Sequence, residues 1–324
     1  MVNSETELRE IVEALATADG REVGSEGHER ARQYLLARVE EAGLEPYTEE
    51  GFSLSYEHEG EKFNNVVAVL PGQSPLAEPV LLAAHYDTCG RQPGADDNAA
   101  AVAMLLTAIE PLRQLKLSRN VIFAFFDAEE PPYFLSEAMG SNYFYKHQRR
   151  LPLHCALVLD LVGHDVAAPG FGHALFVTGI ESDPSWPATL RPLITSNDDL
   201  AIVTTRTDYI GDMSDYAAVR ADRRPFLFFS CAQWEHYHAP TDTPEKLNYT
   251  KMVAIRDLLI EVARQSCQLD LQGPFDEHET LELEIESLKR AAGPVIEAFG
   301  LSLETREDMD HIVRMLVSLF LSSQ

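Results

Sequence analysis

The amino-acid sequence predicts an α/β protein with a mostly parallel central sheet and crossover helices. Two observations support this class. Short apolar runs alternate along the chain with segments whose apolar residues recur at helical spacing. Four of the apolar runs also end at or just before a histidine or an acid. In open α/β sheets, ligands bind beyond the carboxyl ends of the strands, so this pattern predicts a functional site at one sheet edge.

The elements are predicted in the following order. Helices are expected over residues 4–17 and 28–42, and Gly43 suits the C-terminal cap of the second helix. Strands are expected at 65–70, 80–85, 121–126, 155–159, 174–178, 201–205 and 226–229. Further helices are expected from Asn98 onward and over 251–268. The sequence contains no internal repeat and no low-complexity linker.

The composition changes after residue 269. We therefore predict a main domain over residues 1–269 and an acidic helical extension over 270–324, which has 12 acids against 4 bases. Thr305 and Asp308 have the spacing of a capping box at the start of its last helix. The apolar residues of that helix are Met309, Ile312, Val313, Leu316, Leu319 and Phe320. The extension either packs on the core of its own chain or serves as an arm for homo-oligomerisation.

Composition and charge exclude several functional classes. The net charge is −26, with 52 acids against 26 lysines and arginines. Nucleic acids and anionic membranes require a basic surface, so neither is expected as a partner. We see no secretory signal and no run of about 18 apolar residues that would span a membrane. The four cysteines lie far apart without a CxxC motif, so we expect a reducing, cytoplasmic location.

The first motif with a chemical meaning is His85-Tyr86-Asp87, at the end of a predicted strand. Residues i and i+2 of a strand point to the same face. Asp87 can therefore accept the N–H of the His85 ring and fix its tautomer, while the other ring nitrogen binds a metal. By itself this short motif is weak evidence.

Two pairs of adjacent acids follow. Asp96 and Asp97 precede a predicted helix, where N-capping explains one acid but hardly two. Glu129 and Glu130 follow a strand whose apolar run implies burial on both faces. Adjacent buried carboxylates repel each other and lose solvation unless a cation or a shared proton relieves them. A divalent metal held by one glutamate would leave the other free as a base.

Asp160 and the segment His236-Tyr237-His238 follow two more strands. Each has an ordinary structural explanation when taken alone, because an acid can cap an element and a single histidine is seldom a ligand. Together with the earlier motifs they require several coincidences at one sheet edge. A metal site is therefore the better interpretation.

In this order, the motifs resemble those of the M28 family of zinc aminopeptidases. The resemblance covers residues 13–248, and it implies a three-layer αβα sandwich with a mostly parallel, mixed central sheet. The matching segments are residues 21–28, 85–87, 94–99 and 126–130, Gly140-Ser141, Asp160, Ser214-Asp215, and residues 237–243.

The resemblance implies two zinc ions, for which cobalt or manganese could substitute. It assigns Asp96 as the carboxylate that bridges them. His85 and Asp160 would hold one ion, and Glu130 and His238 would hold the other.

The resemblance also implies roles in hydrolysis. Glu129 matches the general base, which would take a proton from a water shared by metals roughly 3.5–4 Å apart. Asp87 matches the carboxylate partner of His85. Asp97 matches the residue that a cis peptide bond joins to the bridging aspartate. The expected substrates are peptides with a free N-terminus. Residues 1–269 are expected to form the catalytic domain.

The loop beside the acidic pair departs from the family pattern. Ala128 replaces a common glycine, and residues 131–141 form a longer segment that begins with two prolines. The preferred N-terminal residue is therefore open. Residues 133–135 and 208–213 either line an apolar pocket with an acidic edge or are simply packed loops.

Three alternatives remain open from the sequence. Glutaminyl cyclases resemble this fold but use one zinc and usually have tryptophan where this chain has Tyr237. A carboxypeptidase or amidohydrolase needs a cation for the substrate carboxylate, and Arg91, Arg206 and Arg220 keep that option open. A binding module without catalysis is also known in this fold, although such modules lose metal ligands.

Overall fold

The computed structural model describes residues 4–168, 170–272 and 279–321, without the side chains of residues 319–321. Two of the predicted apolar side chains in the last helix, Leu319 and Phe320, therefore lie outside the described residues.

The strands of the described residues form one mixed sheet. Their bounds are β1 Glu45–Pro46, β2 Ser53–His58, β3 Glu61–Leu70, β4 Val80–His85, β5 Val121–Phe126, β6 Cys155–Leu159, β7 Ala174–Thr178, β8 Ala201–Thr205 and β9 Phe226–Ser230. The order is β1-β3-β5-β4-β6-β9-β7-β8, and β2 pairs with β3. The four central strands, β5, β4, β6 and β9, are parallel, while β3 and β7 pair antiparallel to them. The predicted mixed α/β fold is confirmed.

The register of the central strands aligns their carboxyl ends. His85 at the end of β4 pairs with Phe126 at the end of β5. Leu159 at the end of β6 pairs with Phe229 near the end of β9. Whatever follows these strands therefore emerges along a single edge of the sheet.

The helices cover the sheet. Their bounds are α1 Ser4–Leu15, α2 Glu26–Glu41, α3 Ala100–Gln114, α4 Gly140–Tyr143, α5 Trp186–Ser196, α6 Ala217–Ala221, α7 Tyr249–Ser266, α8 Leu281–Ala298 and α9 Arg306–Leu321. Ser25 caps α2 by accepting the N–H of His28, and Gly43 follows that helix with a φ of 65°. A positive φ is easily reached only by glycine, which explains where α2 ends. No helix in the described parts of the chain is long and apolar enough to cross a membrane.

The two faces of the sheet bury separate apolar clusters. Along β4, Leu82 and Ala84 belong to the cluster beneath α1, α3 and α7, while Leu81 and Ala83 belong to the cluster that contains Phe144 from the segment after α4. This alternation follows from the two-residue period of a strand. Helices on both faces give the expected three layers.

The last two helices pack on the core. Leu283 and Leu288 of α8, and Met309 and Ile312 of α9, join the same buried cluster as the sheet. Helix α8 lies against β8 at the sheet margin. The predicted capping box is confirmed, because Thr305 Oγ1 accepts the N–H of Asp308 at 3.1 Å and Asp308 accepts the N–H of Thr305 at 3.0 Å. The domain boundary at residue 269 and the oligomerisation arm stay predictions.

Candidate metal centre

Four acids surround the imidazole of His85. Its Nε2 atom lies 3.3 Å from Asp97 Oδ1, 3.5 Å from Asp160 Oδ1 and 3.9 Å from Glu129 Oε2. Its Nδ1 atom lies 3.3 Å from Asp87 Oδ1. All five side chains are buried. His85, Glu129 and Asp160 follow from the ends of β4, β5 and β6, which are parallel neighbours, and Asp97 comes from the turn before α3.

A second imidazole completes the centre from the loop after β9. His238 Nε2 lies 2.9 Å from Glu130 Oε2 and 3.2 Å from Asp97 Oδ2. Asp97 therefore directs one carboxylate oxygen at His85 and the other at His238. This is the position expected of a carboxylate that joins two cation sites.

The structure corrects the predicted role of Asp96. Its carboxylate faces away from both histidines, accepting the N–H of Gly163 at 2.6 Å and lying 2.7 Å from Nδ1 of His164. The cis peptide bond likewise joins Asp97 to Asn98 rather than Asp96 to Asp97. The carboxylate that lies between the two imidazoles is therefore Asp97, one residue later than the sequence predicts, because the turn before α3 points the two adjacent carboxylates in different directions.

Asp87 lies beside His85, as the sequence predicts, and it also binds the turn after β5. Its Oδ1 and Oδ2 atoms accept the backbone N–H groups of Glu129 and Glu130, each at 3.1 Å. Burial opposes the ionisation of Asp87, but contact with His85 and these N–H groups lowers its pKa. A single carboxylate therefore holds the turn that carries the acidic pair and lies beside the His85 ring.

Without a metal, the centre favours protonation of several acids. Burial, together with repulsion from Asp97, raises the pKa of Glu130 to about 8. Burial also raises the pKa of Glu129 well above its usual range, with the charges of Asp160 and Glu130 acting in the same direction and His85 opposing them. The pKa of Asp160 is raised as well, chiefly by burial. Crowded carboxylates in a buried site need a cation or protons to balance them.

The histidines respond to the same field. For His238, burial opposes the charged form, but contact with Asp97 and Glu130 raises its pKa to about 10. The pKa of His85 is raised well above its usual value for similar reasons. The carboxylate of Asp97, between the two rings, has its pKa lowered by them despite its burial. The centre as a whole therefore attracts positive charge.

The residues present fit divalent metal ions. Several buried ligand atoms have no hydrogen-bond partner in the described chain: both ring nitrogens of His85, Nε2 of His238, Oε1 of Glu130 and Oδ1 of Asp160. Ligand atoms of His85, Asp97 and Asp160 lie within 4.8 Å of one another. Buried polar atoms normally have partners, so the unpaired Nε2 atoms of His85 and His238, each beside carboxylate oxygens, indicate missing cations. Imidazole and carboxylate are typical zinc ligands.

Sequence reasoning missed a supporting residue, Arg21. Its buried guanidinium donates to the carbonyl oxygens of Tyr86, Pro93 and Gly94 at 2.7–2.9 Å, and to that of Leu15 at 3.0 Å. Burial lowers the pKa of Arg21 to about 10, which leaves it charged at neutral pH. The arginine thus ties the end of α1 to the loop that presents Asp97. The segment 21–28 was noticed only as a resemblance.

The turn before α3 has a second anchor in Asp242. Its carboxylate accepts the backbone N–H of Asp96 at 2.9 Å and 3.1 Å and that of Asp97 at 3.1 Å. Asp242 lies in the matching segment 237–243, but its function could not be deduced from spacing alone.

Other residues of the motifs stay outside the metal cluster. Asp127 pairs with His28 at 2.8 Å, and His236 lies 2.9 Å from the hydroxyl of Thr241. Ser214 donates to Oδ2 of Asp160 at 2.9 Å. The buried Asp215 has its pKa raised to about 7, chiefly by burial. These residues lie around the candidate metal ligands and are not among them.

The sequence also gave no indication of Cys89. Its thiol lies with ligand atoms of Glu130 and His238 inside a 4.8 Å group. Burial and the nearby acids raise the pKa of this thiol to about 11, so it is protonated at neutral pH.

Residues 65–263, more than half of the chain, match the sequence profile of peptidase family M28. The chain belongs to peptidase family M28. The resemblance noted in the sequence and the expectation of a peptidase are both confirmed.

This M28 peptidase has curated relatives at moderate identity. It is 28% identical over 237 residues to the uncharacterized protein YfbL of Escherichia coli, covering 64% of this chain and 72% of that protein. It is 24% identical over 216 residues to leucine aminopeptidase 1 of Arthroderma otae. That match covers 61% of this chain and 56% of the fungal protein.

Solved structures share the fold of this M28 peptidase. LapB from Legionella pneumophila matches with a TM-score of 0.67 at 21% identity, over 82% of this chain and 72% of LapB. A glutaminyl cyclase from Porphyromonas gingivalis matches with a TM-score of 0.66 at 17% identity, over 82% and 98% of the two chains. A Zn-dependent exopeptidase from Parabacteroides distasonis matches with a TM-score of 0.63 at 16% identity, over 80% and 97%. At these identities the structures show the fold alone.

A cavity of about 190 Å³ opens next to the metal centre of the M28 peptidase. Asp97, Glu129, Glu130 and Asp160 line one end. The side chains at the other end are mostly apolar and include Phe134, Phe176, Val203, Ile210, Met213 and Leu316. The apolar pocket with an acidic edge, which the sequence left open, is therefore present. Phe134 and the 208–213 loop contribute to it.

Proposed function

We propose that this M28 peptidase is an aminopeptidase that removes the N-terminal residue of peptides by metal-assisted hydrolysis. The observation that carries the proposal is Asp97, whose carboxylate oxygens face His85 and His238, with Glu129 beside the first ring. Two imidazoles with several carboxylates suit two zinc ions, or cobalt or manganese in their place.

The ligands divide between two positions around Asp97. His85 and Asp160 would hold one ion, and His238 and Glu130 would hold the other, with Asp97 shared between them. Only the shared carboxylate differs from the set implied by the family resemblance. A metal pair of this kind lowers the pKa of a bound water and polarises the substrate carbonyl.

In this mechanism Glu129 acts as the proton carrier. Its carboxylate lines the cavity, and Asp87 fixes its backbone N–H. Glu129 takes a proton from the attacking water while the water oxygen bonds to the carbonyl carbon of the first peptide bond. It then gives that proton to the leaving nitrogen as the C–N bond breaks. A glutamate within hydrogen-bond reach of the attacking water can carry out both proton transfers.

The charge of the centre supports a free N-terminus on the substrate. An α-ammonium group would be attracted to the acidic end of the cavity. A carboxypeptidase would instead need a cation, and none of the described residues that line the cavity is a lysine or an arginine. Arg91 lies 3.6 Å from Glu22, and Arg220 lies 2.6 Å from Asp212. Arg206 lies 2.8 Å from Asp208.

Glutaminyl cyclase activity is the second candidate, because a cyclase shares this fold over most of its length. In this chain the residue before His238 is Tyr237, whose ring stacks on the imidazole with centroids 3.8 Å apart. The full set of ligands for a second metal favours hydrolysis over cyclisation.

The test uses protein stripped of metal and then reloaded with zinc. A panel of aminoacyl amides and tripeptides is offered with free and with acetylated N-termini, together with a peptide that begins with glutamine. We expect zinc-dependent release of the first residue from the free forms only. Elemental analysis of the reloaded protein measures the number of ions per chain.

Each of the other outcomes would indicate a different function. Cleavage of acetylated substrates with a free carboxylate would indicate a carboxypeptidase, and loss of ammonia from N-terminal glutamine without hydrolysis would indicate a cyclase. No turnover with metal bound would argue for a binding module.

The cysteines support a reducing compartment such as the cytoplasm as the setting of this activity. All four are free thiols, and three of them are buried. Immunodetection in fractionated cells would test this location.

A further inference from the structure

Helix α9 supplies part of the cavity wall. Val313, Leu316 and Val317 line the apolar end, and their spacing of three and four residues places them on one face of the helix. The M28 profile ends at residue 263, well before α9 begins. One wall of the proposed active site is therefore built by a segment that the family match does not include.

Polar contacts hold this wall in position. Arg306, the first residue of α9, donates to the carboxylate of Glu284 on α8 at 2.9 Å and 3.0 Å, and Glu284 is fully buried. Tyr209, which itself lines the cavity, donates to Asp310 of α9 at 2.6 Å. An ion pair to a buried carboxylate is costly to break even when its arginine is partly exposed, so α9 is a fixed wall of the cavity.

The sheet provides the surface that faces α9. Phe176 of β7 and Val203 of β8 line the same end of the cavity, together with Met213 from the loop before α6. An apolar cavity of about 150 Å³ in another protein holds a benzene molecule. The cavity of about 190 Å³ found here has room for one large apolar side chain.

We propose that α9 determines the substrate preference of this peptidase. Its residues Leu316 and Val317 receive the side chain of the N-terminal residue of the peptide and select large apolar residues such as leucine. The inference rests on the proposed aminopeptidase function and adds the element that sets its specificity. Apolar pockets discriminate by about 10–200-fold per methylene, so leucine should be preferred to alanine by at least about 10-fold in kcat/KM.

The test compares Leu316→Trp with Met315→Trp. Leu316 lines the cavity, whereas Met315 is 40% exposed on another face of α9. The larger ring at position 316 should fill the pocket and lower kcat/KM for leucyl amides about 10-fold or more, with most of the change in KM. Alanyl amides should be affected little, because their side chain is too short to reach α9. The variant at position 315 should keep the leucine-to-alanine ratio of the parent protein.

Two further measurements keep the result interpretable. Leu316→Ala should enlarge the pocket and shift the preference from leucyl toward phenylalanyl amides, and it tests the wall if the tryptophan variant does not fold. Calorimetric titration of the zinc-loaded protein with leucinol and alaninol measures binding without turnover. We expect leucinol to bind more tightly than alaninol, and only the substitutions at position 316 to reduce that difference.

The proposal is overturned if folded, zinc-loaded variants at position 316 keep both the parental ratio of leucyl to alanyl cleavage and the parental leucinol affinity. A parent protein that cleaves no amide would instead contradict the proposed aminopeptidase function. In that case, a loss of leucinol affinity in Leu316→Trp but not in Met315→Trp would still support α9 as the wall that contacts the leucine side chain.

Discussion

Different interactions form the two ends of the cavity. At the acidic end, the ring nitrogens of His85 and His238 lie 2.9–3.9 Å from carboxylate oxygens, and several of these atoms have no hydrogen-bond partner among the residues that the structure describes. At the apolar end, β7, β8 and α9 meet through hydrocarbon side chains. Charge determines what binds at the acidic end, and the apolar area that becomes buried determines what binds at the apolar end. Changes in metal or pH should therefore act mainly on one end, and changes in side-chain volume on the other.

The largest effect should come from replacing Asp97, but not the adjacent Asp96, with asparagine. Asp97→Asn removes the shared charge, so we expect fewer bound metal ions and a loss of roughly 10³-fold or more in kcat/KM. Asp96→Asn is the matched control and should keep its metals, since this carboxylate faces Gly163 and His164. Elemental analysis after gel filtration and steady-state kinetics measure both quantities. Equal metal loss in the two variants would contradict the assignment of Asp97.

Glu129→Gln should separate metal binding from catalysis within the acidic end. The amide cannot accept a proton, so kcat should fall by about 10²–10⁴-fold. Because Glu129 is not among the proposed ligands, the number of ions per chain should equal that of the parent protein. Full activity with metals bound would show that another group carries the proton.

Arg21→Met tests the support beneath the acidic end. Its loss leaves buried carbonyl oxygens without a donor, so we expect the free energy of unfolding to drop by about 3 kcal/mol. Arg30→Met is the control, because Arg30 is half-exposed and pairs with the exposed Asp19. That variant should change stability by less than about 1 kcal/mol. Denaturant titration of the metal-free proteins gives both values, and equal losses would contradict a structural role for Arg21.

The smallest effect should be the pH dependence of the metal-free protein. Burial raises the pKa of Glu130 to about 8 and that of Asp215 to about 7, while His238 reaches about 10 despite its burial. Each value lies above that of the unfolded chain, so the folded chain holds more protons around neutral pH. Its stability should therefore fall as the pH rises from about 4, where the acids of the unfolded chain titrate, to about 10.

Thermal unfolding at about pH 6 and about pH 9 measures this dependence, with a chelator and with zinc. Zinc competes with protons for the same ligands, so the zinc-loaded protein should lose less stability at the higher pH, or gain some. A metal-free protein whose unfolding midpoint rises with pH would show that these groups are not crowded as described.

Residue type explains how much of the site was predictable. Acids and histidines at the ends of apolar strands are unusual, so His85, Asp87, Glu129, Glu130 and Asp160 were found from the sequence and lie together in the structure. His238 was found in the same way. The choice between Asp96 and Asp97 failed, because the path of a turn decides which of two adjacent carboxylates faces the centre, and composition carries no information on that path.

The apolar end was less predictable for the opposite reason. Leu316 and Val317 look like ordinary core residues of an amphipathic helix, and nothing in their spacing distinguishes a cavity wall from a buried face. The fold shows the same contrast. The buried strands β4, β5 and β6 are continuous apolar runs and were predicted, whereas the marginal strand β2, over Ser53–His58, alternates between buried and exposed residues and was missed.

The position of Arg21 has a consequence for how this chain can be cut. A fragment limited to residues 65–263 would retain every proposed ligand and the proton carrier. It would lose the guanidinium that joins the end of α1 to the loop carrying Asp97, and it would also lose α9. Such a fragment would contain the reactive side chains without the residues that position them. The functional unit of this peptidase is therefore longer than the region by which its family is recognised.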